Sequence, residues 1–180
     1  MEFGDRPEVV VRDLTEADFG AVHALNQANV PAVGDATRQL LSDIVDESLH
    51  ALVATVPDPS GRAGGEVAGF CLVIAPGADY GSVNFRWFTE RYREFVYLDR
   101  VAVDARFRGR GIGAALYAEV ERRSAGREWF TLEVNLRPRN DGSLAFHERL
   151  GFTEVGQQET PGGFLVSLQA RPIDGGRART

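Results

Sequence analysis

The sequence of 180 residues contains no lysine, one cysteine and one methionine. Every cationic side chain other than histidine is therefore an arginine, and this usage is typical of proteins from G+C-rich bacterial genomes. The single cysteine, Cys71, excludes an internal disulfide and suits a reducing cytosol, so we expect a cytoplasmic protein.

Long apolar runs are also absent. No run approaches the roughly 20 residues of a membrane-spanning helix, and no secretory signal opens the chain, so we expect no membrane partner. The net charge is −6, with the acids concentrated in the first 60 residues, which argues against nucleic-acid binding. No group of His, Cys and Asp has metal-ligand spacing, so no metal is expected.

Apolar periodicity and turn residues predict an α/β fold with a mixed sheet of about six to seven strands. No internal linker divides the chain, so we expect one domain over residues 1–170 and a disordered tail over 171–180. The predicted strands are 9–12, 51–56, 67–74, 97–103, 129–135, 152–155 and 164–168. The predicted helices lie near 15–30, where Pro31 ends the first, from 35 or 37 to 45, and near 85–92, 111–124 and 140–150.

The chain is organised around residues 97–123. An apolar, β-branched strand is followed there by alternating arginines and glycines and then by a helix that begins near Gly111. Helix N-termini carry unbonded N–H groups and a positive dipole end, and glycines let a ligand approach the backbone. The pattern therefore predicts an anion site suited to phosphate.

Residues 109–114, GRGIGA, also satisfy the dinucleotide pattern G-x-G-x-x-[GA], and Glu133 lies about twenty residues further on, where a ribose-binding acid would be. This leaves a nicotinamide oxidoreductase as an alternative. Against it, the segment DARFR separates the strand from the turn, and a hairpin and two helices come first. Arg106, Arg108 and Arg110 also carry more positive charge than such a dinucleotide needs.

Two segments carry a family resemblance. RFRGRGIGAAL after LDRVAV resembles the acyl-CoA signature [QR]-x-x-G-x-[GA] of the GNAT superfamily of N-acetyltransferases, and residues 135–152 resemble its N-x-x-[AS]-x-x-[FY]-Y-x-x-x-G-F segment. The order of elements fits from about Val9 to Leu168. The resemblance implies that fold, with helices on both faces of the sheet, and direct acetyl transfer from acetyl-CoA to a small-molecule or peptide amine.

The resemblance also implies the cofactor contacts. The backbone of the glycine turn would bind the diphosphate of coenzyme A, the central strand would bind the pantetheine amides, and Asn140 and Ser143 would lie beside the pantetheine arm. The implied contacts are Val101, Ala102, Val103, Arg108, Gly109, Arg110, Gly111, Ile112, Gly113, Asn140 and Ser143.

Catalytic groups follow from the same resemblance. Asp99 and Tyr97 alternate on the central strand and are candidate bases, with Glu133 a weaker one. The alternative for Asp99 is an ion pair with Arg100 or Arg91. His147 occupies the place of the family's acidic tyrosine, where it could protonate the thiolate or simply lie on the helix surface.

An aromatic segment, NFRWFTERYREF, precedes the central strand. The fold implied by the resemblance places it beside the acceptor end of the cleft, where Tyr80, Asn84, Arg86 and Trp87 would line the acceptor pocket. Phe85, Phe88 and Tyr92 would cover the sheet. The departure at His147 keeps a non-catalytic acyl-CoA sensor open as an alternative function, and the resemblance allows a homodimer.

Overall fold

The computed structural model describes residues 8–61 and 63–173. The strands are β1 (Val10–Asp13), β2 (His50–Val56), β3 (Glu66–Ile74), β4 (Phe95–Val103), β5 (Trp129–Arg137), β6 (Thr153–Glu159) and β7 (Leu165–Pro172). The helices are α1 (Phe19–Ala28), α2 (Arg38–Glu47), α3 (Val83–Thr89), α4 (Ile112–Arg123) and α5 (Asp141–Arg149), with short 3-10 turns at Glu16–Asp18 and Ala105–Phe107.

The strands form one mixed sheet in the order β1-β2-β3-β4-β5-β7-β6. β4 and β5 are parallel, as the right-handed crossover through α4 requires, whereas the pairs β1–β2, β5–β7 and β6–β7 are antiparallel. The mixed sheet predicted from the sequence is confirmed. Within the described residues, no helix is long and apolar enough to cross a membrane.

Contacts divide the chain into two compact units. The first consists of the residues up to Asp46, His50–Leu72 and Arg100–Val120, and the second of Glu47–Leu49, Val73–Asp99 and Glu121 onward. The single domain expected over residues 1–170 stays a prediction.

A buried arginine ties β4 to the first helices within the first unit. Arg100 is 8% exposed, and its Nη1 donates to Asn26 Oδ1 at 2.8 Å and to the Gly34 carbonyl. Asn26 also donates to Gly34 O at 3.1 Å. Because successive residues of a strand face opposite sides, this interaction directs Asp99 and Val101 to the other face of β4.

Gly69 of β3 lets α4 approach the sheet closely. A Cβ built on Gly69 would lie 2.8 Å from Ile112 Cγ2 and 3.0 Å from the Ala102 carbonyl oxygen. Ile112 is the first residue of α4 and is 1% exposed. The absence of a side chain at Gly69 therefore fixes where the N-terminus of α4 lies on the strands.

Aromatic packing places α3 in the second unit. The ring centroid of Phe85 lies 5.5 Å from that of Tyr97, and that of Phe88 lies 6.4 Å from that of Phe95. Trp87 lies over Gly156 of β6, where a Cβ would meet the indole at 2.7 Å. The helical spacing of the aromatic segment predicted this short helix.

The predicted tail begins too early. β7 continues through Pro172, with Arg171 paired to Phe130 and Pro172 to Trp129. The Arg171 guanidinium lies 4.9 Å from the Phe152 ring centroid and bonds to Glu121, and Ile173 is buried. These contacts order residues 171–173, so the prediction of disorder is wrong there, and residues 174–180 lie outside the described part.

Replacing Gly69 with Ala should lower the free energy of unfolding by about 1–3 kcal/mol, because the new methyl group meets a backbone oxygen that cannot move aside. Gly20→Ala is the matched control, since Gly20 lies in α1 with open space around its Cβ position. Urea unfolding should show the control unchanged or slightly more stable. Equal stability of Gly69→Ala and the wild type would contradict the close approach of α4.

Candidate active site

A tight loop leads from β4 into α4. The Asp104 carboxylate accepts from the Arg106 N–H at 2.9 Å and thereby caps the 3-10 turn, and the Phe107 N–H donates to Asp104 O. Gly109 and Gly111 then adopt φ angles of +75° and +85°, in the left-handed region that glycine tolerates best. The two glycines reverse the chain so that α4 begins directly after the loop.

The backbone of this turn leaves several amides unused. The Arg110 N–H donates to Phe107 O at 3.3 Å, and the Ala115 N–H donates to Gly111 O at 2.9 Å. Within residues 8–61 and 63–173, no group accepts from the amides of Gly111, Ile112 or Gly113. The Arg110 amide is therefore not available to an anion. The amides of Gly111, Ile112 and Gly113 remain as the donors for the predicted anion site.

The space above the turn is open. A Cβ built on Gly109 or Gly111 would meet no atom within 4 Å. Three N–H groups without an acceptor at the start of the twelve-residue α4 thus lie next to a turn with open space at both of its glycines. The geometry fits the diphosphate of a nucleotide cofactor.

The three arginines of the loop differ in how much positive charge they leave for a ligand. Arg106 bonds to Asp104 and to Glu66, with Nη2 2.7 and 2.6 Å from the two carboxylates. These contacts raise the pKa of Arg106 and lower that of Asp104. Arg108 donates to Asn29 Oδ1 at 2.8 Å, and Arg110 lies over Phe107. Because Arg106 is paired with two acids, the excess of positive charge at this loop is smaller than the number of arginines in the sequence predicts.

The predicted strand contacts lie just before this loop. Ala102 is buried, Val101 and Val103 are half-buried, and the Asp104 N–H donates to Ala68 O at 2.9 Å. The parallel ladder of β4 with β5 runs from Phe95↔Trp129 to Leu98↔Leu132.

Two carboxylates and a phenol share one face in the second unit. Tyr97 pairs with Thr131 across the parallel strands, so Asp99 and Glu133, two residues further along each strand, lie on the same face. Both acids are half-buried, whereas Tyr97 is fully buried. Burial and then the charges of Glu133 and Asp99 raise the pKa of Tyr97 well above its usual value. Tyr97 therefore keeps its proton and does not suit the role of base.

The Tyr97 hydroxyl has a defined partner. Its oxygen lies 3.4 Å from Ser82 Oγ. Ser82 is the N-cap of α3 and accepts from the Phe85 N–H at 3.2 Å. The sequence analysis missed Ser82, although a serine three residues before the apolar Phe85 is a typical N-cap signal.

His147 is only 3% exposed. This burial does not fit the interpretation that His147 lies on the helix surface. Its Nδ1 donates to the Ser143 carbonyl at 2.7 Å, and Phe146 and Phe152 contact its ring at 5.2 and 5.5 Å between centroids. Burial lowers its pKa to about 4. At neutral pH the ring is neutral and its Nδ1 proton is held by a carbonyl, which does not fit the predicted general acid.

The two predicted pantetheine residues lie at the start of α5. Asn140 is its N-cap, with Oδ1 accepting from the Ser143 N–H at 3.1 Å. Ser143 Oγ lies 3.2 Å from His147 Nδ1. The capping role uses the carbonyl of the Asn140 side chain and leaves its NH₂ group as the donor for a ligand.

The four predicted acceptor residues divide into two pairs. Asn84 is buried and accepts from Gln158 at 3.0 Å, and Trp87 is covered by Gly156 and by the Arg91 guanidinium at 4.1 Å. These contacts give both residues structural roles. Arg86 is exposed and Tyr80 is half-buried beside Phe85, so both can meet a ligand. No group of acids, histidines or cysteines in the described residues could hold a metal ion.

Comparisons with known proteins agree with this geometry. Residues 21–152 match the family model described as acetyltransferase (GNAT) family. A comparison with curated proteins found no match.

Solved structures with the same fold include Ard1 from Thermoplasma volcanium, at 21% identity and a TM-score of 0.71, covering 92% of this chain and 97% of that one. The ribosomal-protein-S18-alanine N-acetyltransferase from Escherichia coli has 18% identity and a TM-score of 0.65, with 96% and 100% covered. Arabidopsis thaliana NAA60 in complex with acetyl-CoA has 19% identity and a TM-score of 0.71, with 92% and 100% covered.

The seven-stranded sheet shares its fold with these solved structures, and the matched range of the family model includes β4, the glycine turn and α4. The nicotinamide alternative is accordingly wrong, because the turn follows a 3-10 segment in a mixed sheet and not a strand that opens a dinucleotide-binding unit. The chain belongs to the acetyltransferase (GNAT) family, whose members move an acetyl group from acetyl-CoA to an amine.

Proposed function

We propose that the turn at residues 108–113 binds the diphosphate of acetyl-CoA and that Asp99 accepts the proton of a primary amine that the protein acetylates. The observation that carries the proposal is the set of unbonded amides at Gly111, Ile112 and Gly113, with open space above the two preceding glycines. Backbone amides at a helix N-terminus suit a diphosphate, because they donate to several oxygens without adding a side chain.

The pantetheine arm would be held by main-chain groups of Val101, Ala102 and Val103 and by side chains at the start of α5. The NH₂ group of Asn140 is the donor that its capping bond leaves available, and Ser143 offers a hydroxyl. Acetyl-CoA supplies a thioester carbonyl that an amine can attack. The residues named here orient that carbonyl.

The transfer forms a C–N bond, breaks the C–S bond and moves one proton from the amine. An ammonium cannot attack, so a base must take that proton. Asp99 is half-buried on the face opposite Arg100 and is the carboxylate we assign to this step. The thiolate takes its proton from water, since His147 is neutral with its Nδ1–H bonded to a carbonyl.

Tyr80 and Arg86 are the residues we assign to the acceptor, since Asn84 and Trp87 are used within the fold. The lone cysteine and the lysine-free composition support a cytoplasmic bacterial enzyme. The family resemblance supports a homodimer in solution.

Thiol release from acetyl-CoA with glycine, tetra-alanine, spermidine and kanamycin tests the activity. We expect release with at least one amine and none without an amine. His147, buried and neutral in place of a proton-donating tyrosine, favours a second function, an acyl-CoA sensor. Binding of acetyl-CoA without thiol release across the panel would support the sensor, and no binding at all would contradict both.

Gly111→Glu should weaken coenzyme A binding by more than about 100-fold, because a carboxylate would occupy the phosphate position. Gly126→Glu is the matched control, since Gly126 also has a positive φ, of +95°, and open space around its Cβ position. Both variants place a non-glycine residue at a positive φ and add the same charge. Calorimetric titration should show normal affinity in the control. Equal affinities in the two variants would contradict the placement of the diphosphate.

His147 should make stability depend on pH between about 6.5 and 4. Its pKa in the fold is about 4, below the usual value of 6.5, so the unfolded chain binds the proton first as pH falls. Stability is therefore full above pH 6.5 and falls by about 3 kcal/mol as pH drops to 4. Urea unfolding of His147→Phe should lose this slope, whereas His23→Gln should keep it. An identical slope in wild type and His147→Phe would show that His147 does not titrate in this way.

A further inference from the structure

We propose that Asn29, at the end of α1, is a positioning residue that holds the Arg108 guanidinium for the diphosphate of acetyl-CoA without neutralising its charge. This inference deepens the proposed function and rests on it. The backbone amides at the start of α4 and one pre-positioned guanidinium then bind the same anion.

Asn29 joins the end of α1 to the first residue of the glycine turn. Its Oδ1 accepts a hydrogen bond from Arg108 Nη2 at 2.8 Å. Its Nδ2 donates to the Leu25 carbonyl, also at 2.8 Å, and this bond settles which way the side-chain amide points. The helix itself therefore directs the amide oxygen of Asn29 at the guanidinium.

The last turn of α1 is anchored to the sheet. Asn26 is fully buried, accepts from Arg100 of β4 at 2.8 Å and donates to the Gly34 carbonyl at 3.1 Å. The Asn29 N–H donates in turn to the Asn26 carbonyl at 3.0 Å. An amide on an anchored helix end holds a flexible arginine in one place, which lowers the entropy that Arg108 loses when a ligand binds.

Asn29 leaves the charge of Arg108 intact. Arg106, two residues earlier, is instead paired with Asp104 and Glu66 at 2.7 and 2.6 Å. In the part of the chain that the structure describes, no carboxylate forms an ion pair with Arg108. The carbonyl end of a helix also carries a partial negative charge that favours a nearby cation. The loop thus uses one arginine for its own structure and keeps the next one for a ligand.

Arg108 retains donors for an anion. A guanidinium has five N–H groups, and Asn29 accepts from one of them. Arg108 is exposed, and it begins the turn that ends in the unbonded amides of Gly111, Ile112 and Gly113. A planar guanidinium can donate two parallel bonds to one phosphate group. A diphosphate has enough oxygens to accept from this side chain and from the backbone amides together.

Calorimetric titration with coenzyme A tests the arginine and its holder. Arg108→Gln should raise Kd about tenfold, since it removes a charge-assisted contact. Asn29→Ala should raise Kd about threefold, because Arg108 keeps its charge but loses its fixed position. Asn29→Asp should raise Kd about tenfold, because the new carboxylate pairs with Arg108. Arg149→Gln and Ala125→Asp make the same charge changes at exposed positions elsewhere and should bind as the wild type does.

Two further readouts separate positioning from a merely structural role. The fall in affinity between about 50 and 500 mM salt should be smaller in Asn29→Asp than in Asn29→Ala or the wild type, because only the carboxylate cancels the charge of Arg108. In the Arg108→Gln background, Asn29→Ala should change Kd by less than about 1.5-fold. Circular dichroism and urea unfolding confirm that each variant is folded.

Dephospho-coenzyme A identifies the phosphate that Arg108 contacts. This analogue keeps the diphosphate and lacks the 3′-phosphate of the ribose. The effects of Arg108→Gln and Asn29→Asp on Kd should therefore persist with it. If both effects disappear with the analogue, Arg108 binds the 3′-phosphate and the assignment to the diphosphate is wrong.

Two results with coenzyme A itself would also overturn the inference. Unchanged affinity in Arg108→Gln would show that the guanidinium does not contact the ligand. Equal effects of Asn29→Ala in the wild type and in Arg108→Gln would show that Asn29 does not act through Arg108. Either result, together with lost binding in Gly111→Glu, refutes the inference and leaves the proposed diphosphate site standing, whereas a wild type that binds no coenzyme A refutes both.

Discussion

The unbonded amides at the start of α4 are the feature on which the rest of the account depends. They are available because Gly109 and Gly111 turn the chain through positive φ angles and because the first turn of any helix lacks internal acceptors. Gly69 lets the start of α4 pack directly against the sheet, since α4 contacts β3 there without an intervening side chain. Substitutions at three glycines would therefore act on one site by different routes.

Part of the positive charge around this site is neutralised within the protein. The acids Asp104 and Glu66 neutralise Arg106 and hold the loop, while Asn29 holds Arg108 without cancelling its charge. Oriented backbone dipoles add to the attraction for an anion, and they need no rearrangement when the ligand binds. In the second unit, the carboxylates of Asp99 and Glu133 lie on one face together with the protonated phenol of Tyr97.

The sequence predicted those features that local chemistry determines. A run of apolar and β-branched residues predicted β4, the glycines predicted the turn, and the pattern over 140–150 predicted α5. Burial depends on contacts far apart in the chain, so the pattern could not reveal that Tyr97 is enclosed by α3 or that His147 lies between aromatic rings. Gly69 and the length of β7 were hidden for the same reason, because their partners lie forty or so residues away.

Backbone NMR with coenzyme A tests the central claim most directly. If the turn binds the diphosphate, the ¹⁵N–¹H resonances of Gly111, Ile112 and Gly113 should shift on titration by more than those of the rest of α4, because their N–H groups would gain charged acceptors. The Arg110 amide, already bonded to Phe107, should shift less. Coenzyme A that binds while the three resonances remain in place would contradict the account.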